Sequence, residues 1–311
     1  CLWRFMPKTI NNFMPADLEF QMFVLDEHAD KLLDEGNDIL KLTIGVPELP
    51  TPPAVLDRIV EVLGDPNFVR RVFPEGLPEL REAIATHYNT KYRAEISKDN
   101  IIVSTGSSPI FRNIFQLVSG QGREILLPRP YYALYVYCAT LANATIKFYD
   151  IDPVSMRVDM DSFRENFSPE KTALVVVNSP GNPLGNIVNP DELRQIYEIT
   201  DRQAYILNDE IYNNCLFYED FRSPLDVLRE YQDTTIVTNS FSKGFRMYTK
   251  RVGFAILPLE LQTNLRGMQQ HTLGCTDPCE QYGMIAALDH EDGPVDGRGS
   301  YKVSADATTR K

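Results

Sequence analysis

An α/β fold, a mostly parallel central sheet flanked by helices, is predicted by three features of the sequence. Short apolar runs recur along the chain, stretches with helical periodicity lie between them, and most runs are apolar on successive residues rather than alternate ones. That continuity is what a strand covered on both faces requires, and alternation of strands with helices is the mark of a parallel sheet with crossover connections. The 311 residues, 43% of them hydrophobic and 10% aromatic, can bury a large core in one big domain or two.

The expected strands are ILKLTIG (39–45), NIIVSTG (100–106), EILLP (124–128), TIKFYDI (145–151), TALVVVN (172–178), QAYILND (203–209), TTIVTNS (234–240) and VGFAIL (252–257). Expected helices span Pro53–Leu63, Glu79–Tyr92, Pro109–Val118, Asp191–Thr200 and Pro258–Met268. Proline stands at or near several of these starts, where its missing N–H is harmless. No internal repeat is visible. After residue 290 the sequence turns to EDGPVDGRGSYKVSADATTRK, rich in Gly, Ser, Thr and charge, and is read as loop or tail.

The formal net charge of -12 argues against a nucleic-acid surface or an anionic membrane as the main partner. No apolar stretch has the length of a membrane span, and the first residues lack the core of a signal peptide. Five scattered cysteines read as reduced thiols in a cytoplasmic protein. Cys275 and Cys279, with His271 upstream, match no metal-ligand spacing well and are expected to pack as small hydrophobes.

In such a sheet, ligands bind at the carboxyl ends of the strands. Three of those ends carry unusual chemistry: Asn182 in the Pro/Gly-rich turn of NSPGNPLGN, Asp209 and Tyr212 in NDEIY, and Lys243 in SFSKGF, with Arg251 eight residues later. Taken singly, each has an ordinary explanation. Asn suits a turn, Asp suits a helix cap, and a lysine head is usually solvated. Together, a carboxylate, an amide, a phenol and a lysine on one sheet edge would surround a planar cationic ring.

These stretches, with LTIGVPELPTPPAV, EGLPELREAI, STGSSP, PRPYYALY and SFSKGFRMYTKRVG, occur in the order found in class I/II aminotransferases, and over about residues 39–290 the sequence resembles that family. The resemblance implies PLP fold type I with pyridoxal 5'-phosphate (PLP) as cofactor. It further implies an amino group moved between an L-amino acid and a 2-oxo acid through a Lys243 Schiff base. Asp209 then matches the carboxylate paired with the pyridine nitrogen. Tyr212 and Asn182 match the donors to the ring's phenolic oxygen, and Tyr132 the aromatic stacked on the ring, with Tyr131 one residue away. Gly106, Ser107, Ser108, Ser240 and Arg251 match the phosphate site, where a helix start and a guanidinium both suit an anion. Gly45 matches a backbone position beside the substrate, as does Asn182.

The resemblance divides the chain into an N-terminal arm or small-domain part (1–38), a PLP-binding large domain (39–262), and the start of a small C-terminal domain with an irregular tail (263–311). It also implies a homodimer with the segment RRVFPEG near the partner's cofactor. Two departures stand out. Phe73 occupies the place of a tyrosine that reaches the partner's phosphate, and the family's carboxylate-gripping arginine is not found, since Arg298 and Arg310 match nothing. Either residues are omitted or the carboxylate is bound differently. Elimination, replacement or cyclisation on the same scaffold is the alternative reaction, since all begin with the same deprotonation; a non-catalytic binding protein is opposed by the retained lysine, aspartate and arginine.

Overall fold

The computed structural model describes residues 21–41, 44–47, 50–67, 73–216 and 221–289. The chain forms two units, residues 1–46 and 47–311. The first contains helix α1 (Gln21–Asp34). Asp26 and Asp30, four residues apart on one helix face, both bind Lys41 Nζ, at 2.9 and 2.8 Å. The strand expected at 39–45 is absent from the described residues of that stretch, 39–41, 44 and 45. An apolar run becomes a strand only where a neighbour supplies ladder partners, and the described residues of this unit offer only a helix.

The second unit is built on a seven-stranded mixed sheet. Its strands are β1 (Ile101–Ser104), β2 (Glu124–Arg129), β3 (Thr145–Asp150), β4 (Thr172–Asn178), β5 (Tyr205–Asp209), β6 (Thr235–Ser240) and β7 (Gly253–Ile256), in the order β1-β7-β6-β5-β4-β2-β3. β7 is antiparallel to both neighbours, and every other pairing is parallel. Seven of the eight expected strands are therefore present.

Each strand alternates its side chains between two buried faces. On one face Leu174, Val176, Leu207, Ile236 and Ala255 join a core built from helices α4 (Ser108–Val118), α5 (Ala133–Leu141) and α9 (Leu259–Thr272). On the other, Val175, Val177 and Ile206 meet α6 (Met160–Asn166) and α7 (Pro190–Thr200). Val237, Phe254 and Ile256 meet α2 (Pro53–Leu63), α3 (Pro78–Tyr92) and α10 (Pro278–Asp289) on that same side. Burial on both faces accounts for the unbroken apolar reading of β4. Pro at the first turn starts α2, α3, α4 and α7.

Helices α1, α5, α6, α10 and the short α8 (Pro224–Val227) are not among those expected. In α5 the sequence ALYVYCATL is rich in β-branched and aromatic residues, which favour strands locally, yet Tyr135, Cys138 and Ala139 are buried at helical spacing. Among the described residues no helix is long and apolar enough to cross a membrane, and no cluster of three His, Cys, Asp or Glu could hold a metal.

Candidate active site

Because β4, β5 and β6 run parallel in register, their carboxyl ends emerge together: Asn178 lies beside Asp209, and Asp209 beside Thr238. β7 begins at that edge, with Gly253 between Ser240 and Ser104. Four strand ends and one strand start thus converge on one edge of the sheet.

Asp209 is buried there. Tyr135 Oη donates to its Oδ2 at 2.5 Å, and the Ile211 N–H donates to Oδ1 at 3.3 Å. Burial raises its pKa to about 6, against the pull of those donors. Asn178 fixes the neighbouring turn: its Nδ2 donates to the Asp209 carbonyl at 3.2 Å, and its Oδ1 accepts from Asn182 N at 2.6 Å. Asn182 in turn hydrogen-bonds the Tyr212 phenol, whose pKa burial and the Asp209 charge push up to about 12.

The tyrosine pair is separated by the fold. Tyr131 stacks on Phe148, ring centroids 5.3 Å apart, whereas Tyr132 meets Tyr135 edge-on at 5.6 Å. Burial raises the Tyr132 pKa; Asp209 adds to the shift and Arg251 opposes it, so this ring stands within reach of both charges.

Lys243 lies in the turn after β6, its Nζ 4.9 Å from the centre of the Tyr248 ring. Burial lowers its pKa; the neighbouring Cys215 opposes the shift and Arg251 assists it. A neutral amine is therefore easier to reach than on an exposed lysine.

Arg251 reaches the same place from the start of β7. Its Nη1 contacts the Ser242 hydroxyl at 3.5 Å and the Tyr248 carbonyl at 3.2 Å. The loop after β1 runs close against it. Gly106 has φ +85°, and a Cβ there would fall 2.6 Å from Arg251 Nη2; a Cβ on Gly253 would fall 2.6 Å from the Gly106 carbonyl carbon and the Ser107 nitrogen. Ser107 then caps α4 without a side-chain bond to its first turn, and Ser108 opens the helix. A guanidinium faces a helix N-terminus across two glycines, a cradle for a phosphate. The Ser240 hydroxyl is turned inward, bonding the Val252 carbonyl at 2.9 Å and Ser242 Oγ at 2.8 Å, so Ser242 is the hydroxyl beside Arg251.

Beside Asn182 and Tyr212 opens a cleft of about 590 Å³, whose other walls include Met156, Arg157, Leu184 and Cys215. Gly45 belongs to the 1–46 unit. Phe73 packs against the α2–α3–α10 core. Residues 70–72 of RRVFPEG, and Arg298 and Arg310, lie outside the described residues. Sequence reasoning missed Tyr135, Asn178 and Ser242. Tyr135 had a signal, since it falls one helical turn after Tyr132.

These residues fit PLP: a buried carboxylate for a pyridinium, an amide and a phenol for the ring oxygen, an amine of lowered pKa for the aldehyde, and the glycine-lined cradle for the phosphate. The sequence matches the family model "Aminotransferase class I and II" over residues 37–302. It is 30% identical over 277 residues to the aspartate aminotransferase of Thermotoga maritima, covering 85% of this chain and 70% of that protein. It is 31% identical over 264 residues to the (5-formylfuran-3-yl)methyl phosphate transaminase of Methanocaldococcus jannaschii, covering 85% and 68%. The crystal structure of the Thermotoga maritima aspartate aminotransferase superposes with a TM-score of 0.80 at 29% identity, covering 86% of this chain and 72% of that one. The Thermus thermophilus aspartate aminotransferase with maleate gives 0.85 at 25%, covering 92% and 75%.

The fold is that of the fold type I PLP enzymes. The chain belongs to the class I and II aminotransferases, PLP-dependent transferases that move an amino group between an amino acid and a 2-oxo acid. The names of its relatives favour this transfer over elimination, replacement or cyclisation.

Proposed function

We propose that Lys243 is the residue that carries the cofactor's aldehyde and then moves the proton at the substrate α-carbon. Bound PLP supplies an electron-withdrawing ring for that deprotonation. The observation that carries the assignment is Asp209, a buried carboxylate held by Tyr135 at 2.5 Å, on the same sheet edge as a lysine of lowered pKa. Asp209 keeps the ring nitrogen protonated, and Tyr212 and Asn182 donate to the ring oxygen. Tyr132 stacks on the ring. Arg251, Gly106, Ser107 and Ser108 hold the phosphate, with the Ser242 hydroxyl, in place of the inward-turned Ser240, beside the guanidinium. The substrate, an L-amino acid or its 2-oxo acid, enters beside Asn182, at the cleft it lines with Tyr212.

The accompanying organisation is an arm at 1–38, a PLP-binding domain at 39–262 that holds all seven strands, and the start of a small domain at 263–311. The protein works as a homodimer in the cytoplasm, where the five scattered cysteines of its sequence would stay reduced. Light scattering tests the assembly, and a fully active monomer would contradict it.

The reaction is tested with single amino acids and no keto acid. The bound cofactor should convert to pyridoxamine phosphate with one equivalent of keto acid released, and an added keto acid should reverse the change. Steady consumption of an amino acid with no acceptor present would sink the aminotransferase reading.

A further inference from the structure

Glu210 follows the cofactor-side aspartate, but its side chain turns to the opposite face of β5, where it is 1% exposed. Ser223 Oγ donates to its Oε1 at 2.6 Å, and Tyr88 Oη lies 3.3 Å from Oε2. The Tyr88 oxygen already accepts from Asn239 Nδ2 at 3.0 Å, which leaves its own hydrogen for Glu210. Asn239 Oδ1 accepts from the Ser240 N–H at 2.7 Å. A buried hydrogen-bond chain therefore runs Ser223, Glu210, Tyr88, Asn239, Ser240. At the Glu210 end, the Asn213 N–H bonds the Glu210 carbonyl at 2.9 Å, closing the turn that displays Tyr212. Asn213 Nδ2 also bonds Tyr92 Oη at 3.2 Å.

We propose that Glu210 is a positioning residue: through Tyr88 and Asn239 it braces the end of β5, with Asp209 and Tyr212, against the end of β6, which leads into Lys243. The proposal rests on the site assignment above. The backbone tie between the two parallel strand ends reaches the Glu210 N–H, which bonds the Thr238 carbonyl at 2.9 Å, so the residues farther on, Tyr212 and Lys243, need another tie. A helix-borne phenol linked to both strand ends provides one, and groups holding reacting residues must be locked to within a fraction of an ångström.

The brace also titrates, because burial favours the protonated form of Glu210. Burial raises the Glu210 pKa to about 8; Ser223, Tyr88 and Lys91 oppose the shift, and Asp209 adds to it. The charged and titratable groups around it are Lys91 and Tyr88 from α3, Asp209 on its own strand and Tyr197 from α7. Because the folded state holds this proton more tightly than the unfolded chain, stability from Glu210 is full at low pH and is lost as pH rises toward about 8.

The test compares wild type with Glu210→Gln and Glu210→Ala. In the cofactor-free protein, the melting temperature of Glu210→Gln should rise relative to wild type as pH is raised from about 5 to about 8, because the amide does not titrate. In the cofactor-loaded protein, Glu210→Gln should keep most turnover. Glu210→Ala should lose kcat on the order of tenfold to a hundredfold, with an altered cofactor absorbance and little change in KM. Glu210→Ala with wild-type kcat and absorbance in its folded fraction overturns the proposal, since a merely structural group would behave so. A melting difference independent of pH also overturns it. The melting comparison needs no cofactor, so a failure of PLP binding would count against the site assignment and leave this measurement intact.

Discussion

The Tyr135 phenol and the Asp209 carboxylate meet at 2.5 Å, joining α5 to the end of β5 inside the core. The phenol's own pKa is driven well up by burial and by that carboxylate, so Tyr135 stays protonated and donates. A hydrogen bond to a buried charge is among the stronger ones, and it holds Asp209 in the acceptor state a pyridinium needs.

Tyr135→Phe removes that donor while keeping the ring. The Asp209 pKa should rise further, and PLP affinity should fall about tenfold, corresponding to roughly 1.5 kcal/mol of lost charge-assisted bonding. Titration of the apoprotein with PLP, followed by absorbance, measures it; unchanged affinity would remove Tyr135 from the site.

Asp209 itself predicts a pH effect on the apoprotein. Its folded pKa of about 6 stands above the ordinary 3.8, so the fold favours the protonated form. Stability from this group is full below about pH 4 and lost by about pH 6, on the order of 2–3 kcal/mol in all. Asp209→Asn should therefore gain stability over wild type across that window, read by melting curves at several pH values. The same variant should lose most turnover.

Gly106→Ala strains the backbone and fills space at once. Its φ of +85° and the 2.6 Å approach to Arg251 Nη2 predict a loss of about 1–2 kcal/mol in stability. PLP affinity should drop as the guanidinium is displaced. Equal PLP binding by wild type and Gly106→Ala would show that the cradle does not receive the phosphate.

Lys243→Ala should abolish turnover and leave a protein that borohydride cannot link covalently to PLP. Wild type should gain the mass of one reduced cofactor on Lys243. Mass spectrometry of the peptides reads both results, and labelling at another lysine would refute the assignment.

Most of this architecture was legible because burial leaves a simple trace. β4 reads TALVVVN as a strand covered on both faces, and the register of β4, β5 and β6 brings Asn178, Asp209 and Thr238 side by side without further information. What escaped reading depends on tertiary partners. The run at 39–45 has strand-like composition and no described ladder. The separation of Tyr131 from Tyr132 depends on Phe148 of β3, on which Tyr131 stacks. The inward turn of Ser240 toward Val252 follows from the β6–β7 pairing, which no motif encodes.

That pairing has a kinetic consequence. Ser240 and Gly253 are partners in an antiparallel pair, so Lys243 and Arg251 both ride on the short connection between them. Closing such a loop costs little chain entropy, whereas bringing Asn182 and Asp209 to the same edge requires parallel crossovers through whole helices. The lysine-and-arginine half of the site should assemble early in refolding and the ring-binding half late. Pulsed amide exchange would show protection of Phe254 and Ala255 preceding that of Leu207 and Asn208, and the reverse order would refute it.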